Sequence, residues 1–242
     1  MLVRKSEHLV VPAHHIAYHL CLMSLLSLIA CLLVSVASPS MPQTSINYRE
    51  RTGVQETTIR IQQEPLPHGI LIRSFMSNGD FYEVEYDASD TTVRYRVRSA
   101  ARRLDYTANK QGNFIRFEGV LGGKPFARRQ TIDDHPWFET VEKSLSSFAL
   151  TPGRPPLVFW IVQPWDANAY LMEALNEGED TVVISGRQVS AVRIRVRPYG
   201  LLSLFWSSLY WYRSSDGLYV RYEAVRGLPG TPLTVVELVS ED

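Results

Sequence analysis

The sequence predicts a mostly β protein, a curved antiparallel sheet wrapped around one main helix, and three observations carry that expectation. Apolar and polar residues alternate with a period of two over most of 46–132 and again from 157 onward. Glycine-containing turn signals separate the alternating runs. A single stretch, "DDHPWFETVEKSLSSFAL", instead repeats its apolar residues at helical spacing.

The chain begins with a leader. Arg4 and Lys5 precede an apolar run from Ile16 to Ala37, and Ser35 and Ala37 supply the small residues of a cleavage site. Cleavage after Ala37 is the leading expectation. The alternatives are an uncleaved anchor, since the run approaches bilayer-spanning length, and lipidation of Cys31. Residues 1–37 are therefore read as signal peptide or membrane anchor, and 38–242 as a single β-rich extracytoplasmic domain, in the periplasm or cell envelope. Membrane contact is expected through the leader.

Strands follow in order. Asn78-Gly79 signals a type I′ hairpin, in which both residues take positive φ. Beyond it, Phe81–Asp87 sets Tyr82, Val84 and Tyr86 against Glu83 and Glu85. Thr91–Arg98 repeats the pattern, with Val93, Tyr95 and Val97 against Arg94, Arg96 and Arg98. Runs at 104–109, 113–120 and 124–132 complete a meander.

A helix is expected over 136–149, joining possible halves 46–132 and 155–242. Asp134 or His135 would cap it, Pro136 would take its first position, and Trp137, Val141, Leu145 and Phe148 would form its apolar stripe. "TPGRPP" ends it. Strand character resumes at 157–163. Residues 166–177 suit either a helix or extended chain; pairing with the next strand favours extended. Strands over 181–197 turn near Gly186. Asp216-Gly217 reads as a tight hairpin and Pro229-Gly230 as a type II turn.

Composition excludes several functions. Twenty-five basic residues balance twenty-five acidic ones, so no basic excess points to nucleic acid. Both cysteines, Cys21 and Cys31, lie in the leader, and His68 and His135 are the only histidines beyond it. That leaves no disulfide, no thiol nucleophile and no histidine-rich metal site, and no cofactor is expected. "GVLGGKP" fails as a phosphate loop, because Glu118 stands where glycine is required and Pro125 where Ser or Thr must reach a metal. No G-x-S-x-G elbow occurs.

Three constellations remain. Glu83 and Glu85 have the parity to face Arg94 and Arg96 across a hairpin, which favours a solvated charged face. A second stripe, Arg193, Arg195 and Arg197, has no evident partner and keeps an anionic contact open. Asp133, Asp134 and His135 resemble an acid/base cluster, although local capping explains the aspartates more simply. The run 201–212 is apolar on both parities, so both faces of that strand must be covered. Leu204, Phe205, Trp206, Tyr210 and Trp211 are the candidate ligand-binding residues, lining an apolar cavity or, alternatively, filling the sheet core.

Residues 181–238 carry a further signal: "TVVISGRQVSAVRIRV", the aromatic strand end "YWY", the turn "RSSDG" and then "LYVRYE". This rhythm resembles exported bacterial proteins of unknown function built on a curved antiparallel sheet, related in architecture to the lipoprotein-carrier half-barrels. The resemblance implies a half-barrel-like sheet enclosing an apolar cavity, and it brings no catalytic residues. The expectation is a non-enzymatic envelope protein that binds an apolar or lipid-like ligand in the concave face of the sheet. The alternatives are an assembly module that binds another envelope protein, and a hydrolase around Asp133, Asp134 and His135.

Overall fold

The computed structural model describes residues 44–204, 206–225 and 231–241. The leader readings and the Pro229-Gly230 turn lie outside these residues. The described chain forms fourteen strands: β1 (Thr44–Thr52), β2 (Gln55–Leu66), β3 (Gly69–Met76), β4 (Phe81–Asp87), β5 (Thr92–Ser99), β6 (Leu104–Gln111), β7 (Phe114–Leu121), β8 (Lys124–Thr131), β9 (Leu157–Gln163), β10 (Asn168–Ile184), β11 (Arg187–Pro198), β12 (Ser208–Arg213), β13 (Tyr219–Val225) and β14 (Leu233–Glu241).

All fourteen belong to one curved, unclosed antiparallel sheet in the order β8-β7-β6-β5-β4-β3-β2-β1-β14-β13-β12-β11-β10-β9. From β1 the chain meanders outward to one edge at β8, crosses to the other edge at β9, and meanders back until β14 pairs with β1. The mostly β, curved-sheet fold expected from the alternation is the one observed.

The crossing segment, residues 132–156, fills the concave face. Ile132, Trp137, Phe138, Val141, Leu145, Phe148 and Ala149 on this strap are all buried in the core. At about 1.5–3 kcal/mol for each large apolar side chain removed from water, this burial holds the strap in place.

The helix is shorter than expected. It comprises α1 (Val141–Ser144) and α2 (Ser146–Ala149), and Thr140, with φ −112°, stands at its N-cap instead of Asp134 or His135. Residues 136–138 are extended, because β9 is an edge strand with unpaired backbone groups that the strap satisfies. The Phe138 N–H donates to the Trp160 carbonyl at 2.8 Å, and the Trp160 N–H donates to that of Pro136 at 2.8 Å. The apolar spacing misled because an extended strap and a helix can bury the same side chains: Trp137 is buried although its backbone pairs with Trp160, while Val141, Leu145 and Phe148 do follow one helical face.

Residues 168–177 are extended, as pairing logic favoured, within the 17-residue β10, while Asp166 and Ala167 belong to the turn before it. Two turns differ in detail from expectation. At Asn78-Gly79 only Gly79 takes positive φ (86°), and the Met76 N–H donates to Asp80 O across a wider loop, so no type I′ turn forms. At Asp216-Gly217, Arg213 N–H donates to Leu218 O at 2.7 Å, which makes this loop longer than a two-residue hairpin as well. Gly217 (φ 72°) lies against α2, where the Ser146 hydroxyl donates to its carbonyl at 2.8 Å. "GVLGGKP" is the corner between β7 and β8.

Bulges adjust which side chains face inward. On β13, Val220 is skipped in the pairing with β12, so Tyr219 and Tyr222, three residues apart, stand opposite Tyr212 and Tyr210. On β5 the register skips Val93, bringing Thr92 opposite Tyr86. Thr92 is fully buried; its N–H donates to Trp137 O, and its hydroxyl accepts from Glu139 N–H.

The tip between β9 and β10 reaches across the opening of the sheet. There the Tyr106 hydroxyl donates to Pro164 O at 3.0 Å and Arg128 to Asp166 O at 3.1 Å.

Candidate functional site

A cleft of about 300 Å³ remains beside the strap. Its wall comes from β1–β3 and the start of β13: Ile46, Tyr48, Ile61, Ile72, Leu218 and Tyr219. Alternation places Ile46, Tyr48 and Ile61 on the concave face, where register sets Ile46 opposite Ile61. The Tyr48 hydroxyl donates to Tyr219 O at 2.9 Å, and burial pushes the phenol far above its ordinary range.

The rim is polar. Thr140, Glu142, Lys143 and Ser146 come from the strap, with Gln63 from β2 and Arg213, Asp216 and Glu241 around the β12–β13 loop. Its cations are engaged: Arg213 bridges Asp216 (2.5 Å) and Glu241 (2.6 Å), and Lys143 meets Asp90 at 2.9 Å. Hydrogen bonds from Arg213 hold both carboxylates below their usual range. An apolar wall under a rim whose cations are already engaged suits an uncharged apolar group better than a free anion.

The four described residues of the five sequence-predicted ligand residues, Leu204, Trp206, Tyr210 and Trp211, do not converge on one cavity. Tyr210 is buried and packs edge-on against Tyr222, with ring centroids 4.9 Å apart. Trp211, next along β12, points to the opposite face, where its indole N–H donates to Asp180 at 2.9 Å and Arg221 lies over its ring. Trp206 is half-buried and donates to Val225 O. Leu204 is 81% exposed in a 3₁₀ turn, Gly200–Leu204, and Phe205 lies outside the described residues. On β12 alternation sends the neighbours Tyr210 and Trp211 to opposite faces, and Leu204 and Trp206 lie outside any strand. Of the four described, only Tyr210 belongs to the concave tyrosine cluster.

Register confirms the first arginine stripe as part of a charged outer face: Glu83 stands opposite Arg96, and Glu85 opposite Arg94. The second stripe also has partners. Arg193 meets Glu177 and Asp180, Arg195 meets Glu177 at 2.5 Å, and Arg197 meets Glu173 at 2.8 Å. These acids lie on β10, and a bulge at Glu177 turns its carboxylate to both arginines.

Asp133 and His135 do meet. Asp133 accepts from the His135 N–H and the Trp160 indole N–H and lies 2.8 Å from His135 Nδ1. Led by the indole bond, these hold the Asp133 carboxyl at about 2. The aspartate thus caps a bend instead of a helix. The open depression around the pair is lined by Asp133, Asp134, His135, Pro136, Pro156, Leu157 and Val158, none of which carries a hydroxyl or thiol nucleophile.

Glu139 is a residue that the sequence did not single out. One of its carboxyl oxygens accepts from the Trp137 indole N–H (2.9 Å) and from Val162 N–H (3.0 Å), which pins the strap to β9. The residue keeps some solvent exposure, but burial of its carboxyl dominates these hydrogen bonds and raises it to about 8. Its spacing from Trp137 was legible; its position inside the sheet was not.

No family model matches the chain, and no curated protein matches it. Among solved structures, the chain is similar to the hypothetical lipoprotein YmcC from Escherichia coli K12, at 10% identity and a TM-score of 0.41, over 90% of this chain and 94% of that one. It is also similar to a DUF1329 family protein from Desulfovibrio piger, at 9% identity and a TM-score of 0.26, over 84% of this chain and 86% of that one. These neighbours are bacterial proteins of unknown function, the kind of protein that the rhythm of residues 181–238 resembles.

Proposed function

We propose that this is a non-enzymatic envelope protein that binds a lipid-like molecule, placing an apolar chain in the cleft between β1–β3 and the strap. The observation that carries the reading is that cleft: about 300 Å³, walled by Ile46, Ile61 and Ile72 and rimmed by ion pairs. The volume stands at the small end of ligand pockets, which suits one acyl chain or a compact apolar group. The site differs from the one expected on β12, because the strap occupies the rest of the concave face. The charged n-region and apolar run at the N-terminus support a location outside the cytoplasm.

The test is the intact mass of the protein taken from its native envelope, under non-denaturing conditions. A discrete added mass that is lost on denaturation, and lost in an Ile61→Trp variant that fills the cleft, supports the reading. A bare chain at native abundance sinks it and favours the assembly-module alternative. The mass of the denatured chain also reports whether it starts at Ser38, carries acyl groups on Cys31 or keeps its leader.

A further inference from the structure

Antiparallel pairing brings three hairpin ends side by side: the β1–β2 turn at Gly53-Val54, the β11–β12 loop, and the ends of β13 and β14 at Val225 and Leu233. Their side chains are unusually bare. Val54 is fully exposed, Leu201 is 85% exposed and Leu204 81%, with Leu233 half exposed between them and the strands. Residues 199–209, "YGLLSLFWSSL", contain no charge. Exposed apolar groups gathered at one site on a soluble domain mark an interaction surface.

We propose that this end of the sheet enters the interfacial layer of a phospholipid bilayer. Two features favour a bilayer over a protein partner. First, the aliphatic side chains come from neighbouring but separate tips, Val54 from one and Leu201 and Leu204 from another, whereas a protein interface rewards contiguous, complementary packing. A fluid bilayer accepts separate tips. Second, the strand register orders the residues: Val54, Leu201 and Leu204 lie beyond the last paired residues, Tyr199 and Trp206 flank the ladder's end, and Arg51, Arg195 and Arg197 lie within the ladder, each with a carboxylate partner. That is the order of hydrocarbon, interface and headgroup. The collar is firm, because Tyr199 N–H donates to Leu171 O and Trp206 to Val225 O. The described arginines of the collar, Arg51, Arg195 and Arg197, are each paired with a carboxylate, so the expected contact rests on apolar insertion and does not require anionic lipid.

The experiment is amide hydrogen exchange on the full chain with and without vesicles, first of phosphatidylcholine and then with phosphatidylglycerol added. Exchange is resolved along the chain, so protection within 199–209 reports on this loop itself. The expected result is vesicle-dependent protection of 199–209 with either lipid, lost in Leu201→Asp/Leu204→Asp. Both side chains are exposed, so the variant melts with the wild type and keeps the cleft. Three results overturn the proposal: no vesicle-dependent protection, protection unchanged in the double variant, or protection that rises with protein concentration in the absence of vesicles, which would make the tips an interface between copies of the chain.

Discussion

The side-chain amide of Gln130 behaves as a strand partner for Ala169: its Nε2 donates to the Ala169 carbonyl at 2.7 Å, and its Oε1 accepts from the Ala169 N–H at 2.8 Å. Gln130 stands on edge strand β8, and Ala169 at the start of β10. One side chain thereby satisfies a backbone that extends past the end of its neighbouring strand, and it ties together the two ends of an unclosed sheet.

Gln130→Ala leaves that N–H and carbonyl without partners, so it should cost about 1–3 kcal/mol. Chemical denaturation measures the loss, and exchange of the Ala169 amide should accelerate locally. An unchanged exchange rate at Ala169 would show that the latch is dispensable.

Glu139 predicts an unusual pH profile. Its folded value is raised to about 8, against 4.5 for the ordinary side chain. Below about 4.5 both folded and unfolded chains hold the proton, so the contribution to stability is intact. As pH rises toward 8 the unfolded chain ionises while the folded one resists, and stability falls; above 8 the loss is complete. Glu139→Gln retains an acceptor for Trp137 and Val162 but cannot ionise. It should be more stable than the wild type at pH 8 by at least ~1 kcal/mol, and it should flatten the decline. Melting temperatures across pH 4–9 test this, and parallel profiles for the two proteins would refute it.

Gly217 occupies positive φ, and a Cβ built there would lie 2.4 Å from the Ser146 Oγ and 3.0 Å from Leu150. Gly217→Ala should therefore destabilise by about 1–3 kcal/mol, through backbone strain and displacement of α2. Gly79→Ala meets only the backbone penalty, since nothing lies within 4 Å of its Cβ. Comparing denaturation midpoints of the two variants isolates the packing contribution, and equal losses would remove it.

The Arg193–Glu177–Arg195 array is solvent-exposed, so Glu177→Gln should change stability by no more than ~1 kcal/mol at low salt, and by less at high salt. A larger loss in a salt titration of melting temperature would mean that the array orders the β10 bulge as well as decorating it.

Strand content and the outward charge pattern were readable because alternation and turn residues act over a few neighbours. Pro136 and Trp137 misled because helix and strap bury the same side chains. The partners of Arg193, Arg195 and Arg197 were hidden in 166–184, whose conformation propensity alone left open and whose bulge at Glu177 shifts the parity. The cleft was not readable at all: Ile46, Ile72 and Tyr219 meet only after the last strand has returned to the first. Glu139 was visible as a letter, but its raised carboxyl depends on the sheet closing around it.

The pairing of β1 with β14 spans nearly the whole described chain, as between Asn47 and Ser240. During synthesis the first strand emerges long before its second neighbour exists, and it must wait with one edge open while about 190 residues are translated. Closing that seam is entropically slow and exposes an aggregation-prone template in the interim. A chain carried across a membrane unfolded escapes this hazard, because both halves of the seam reach the far side before folding starts.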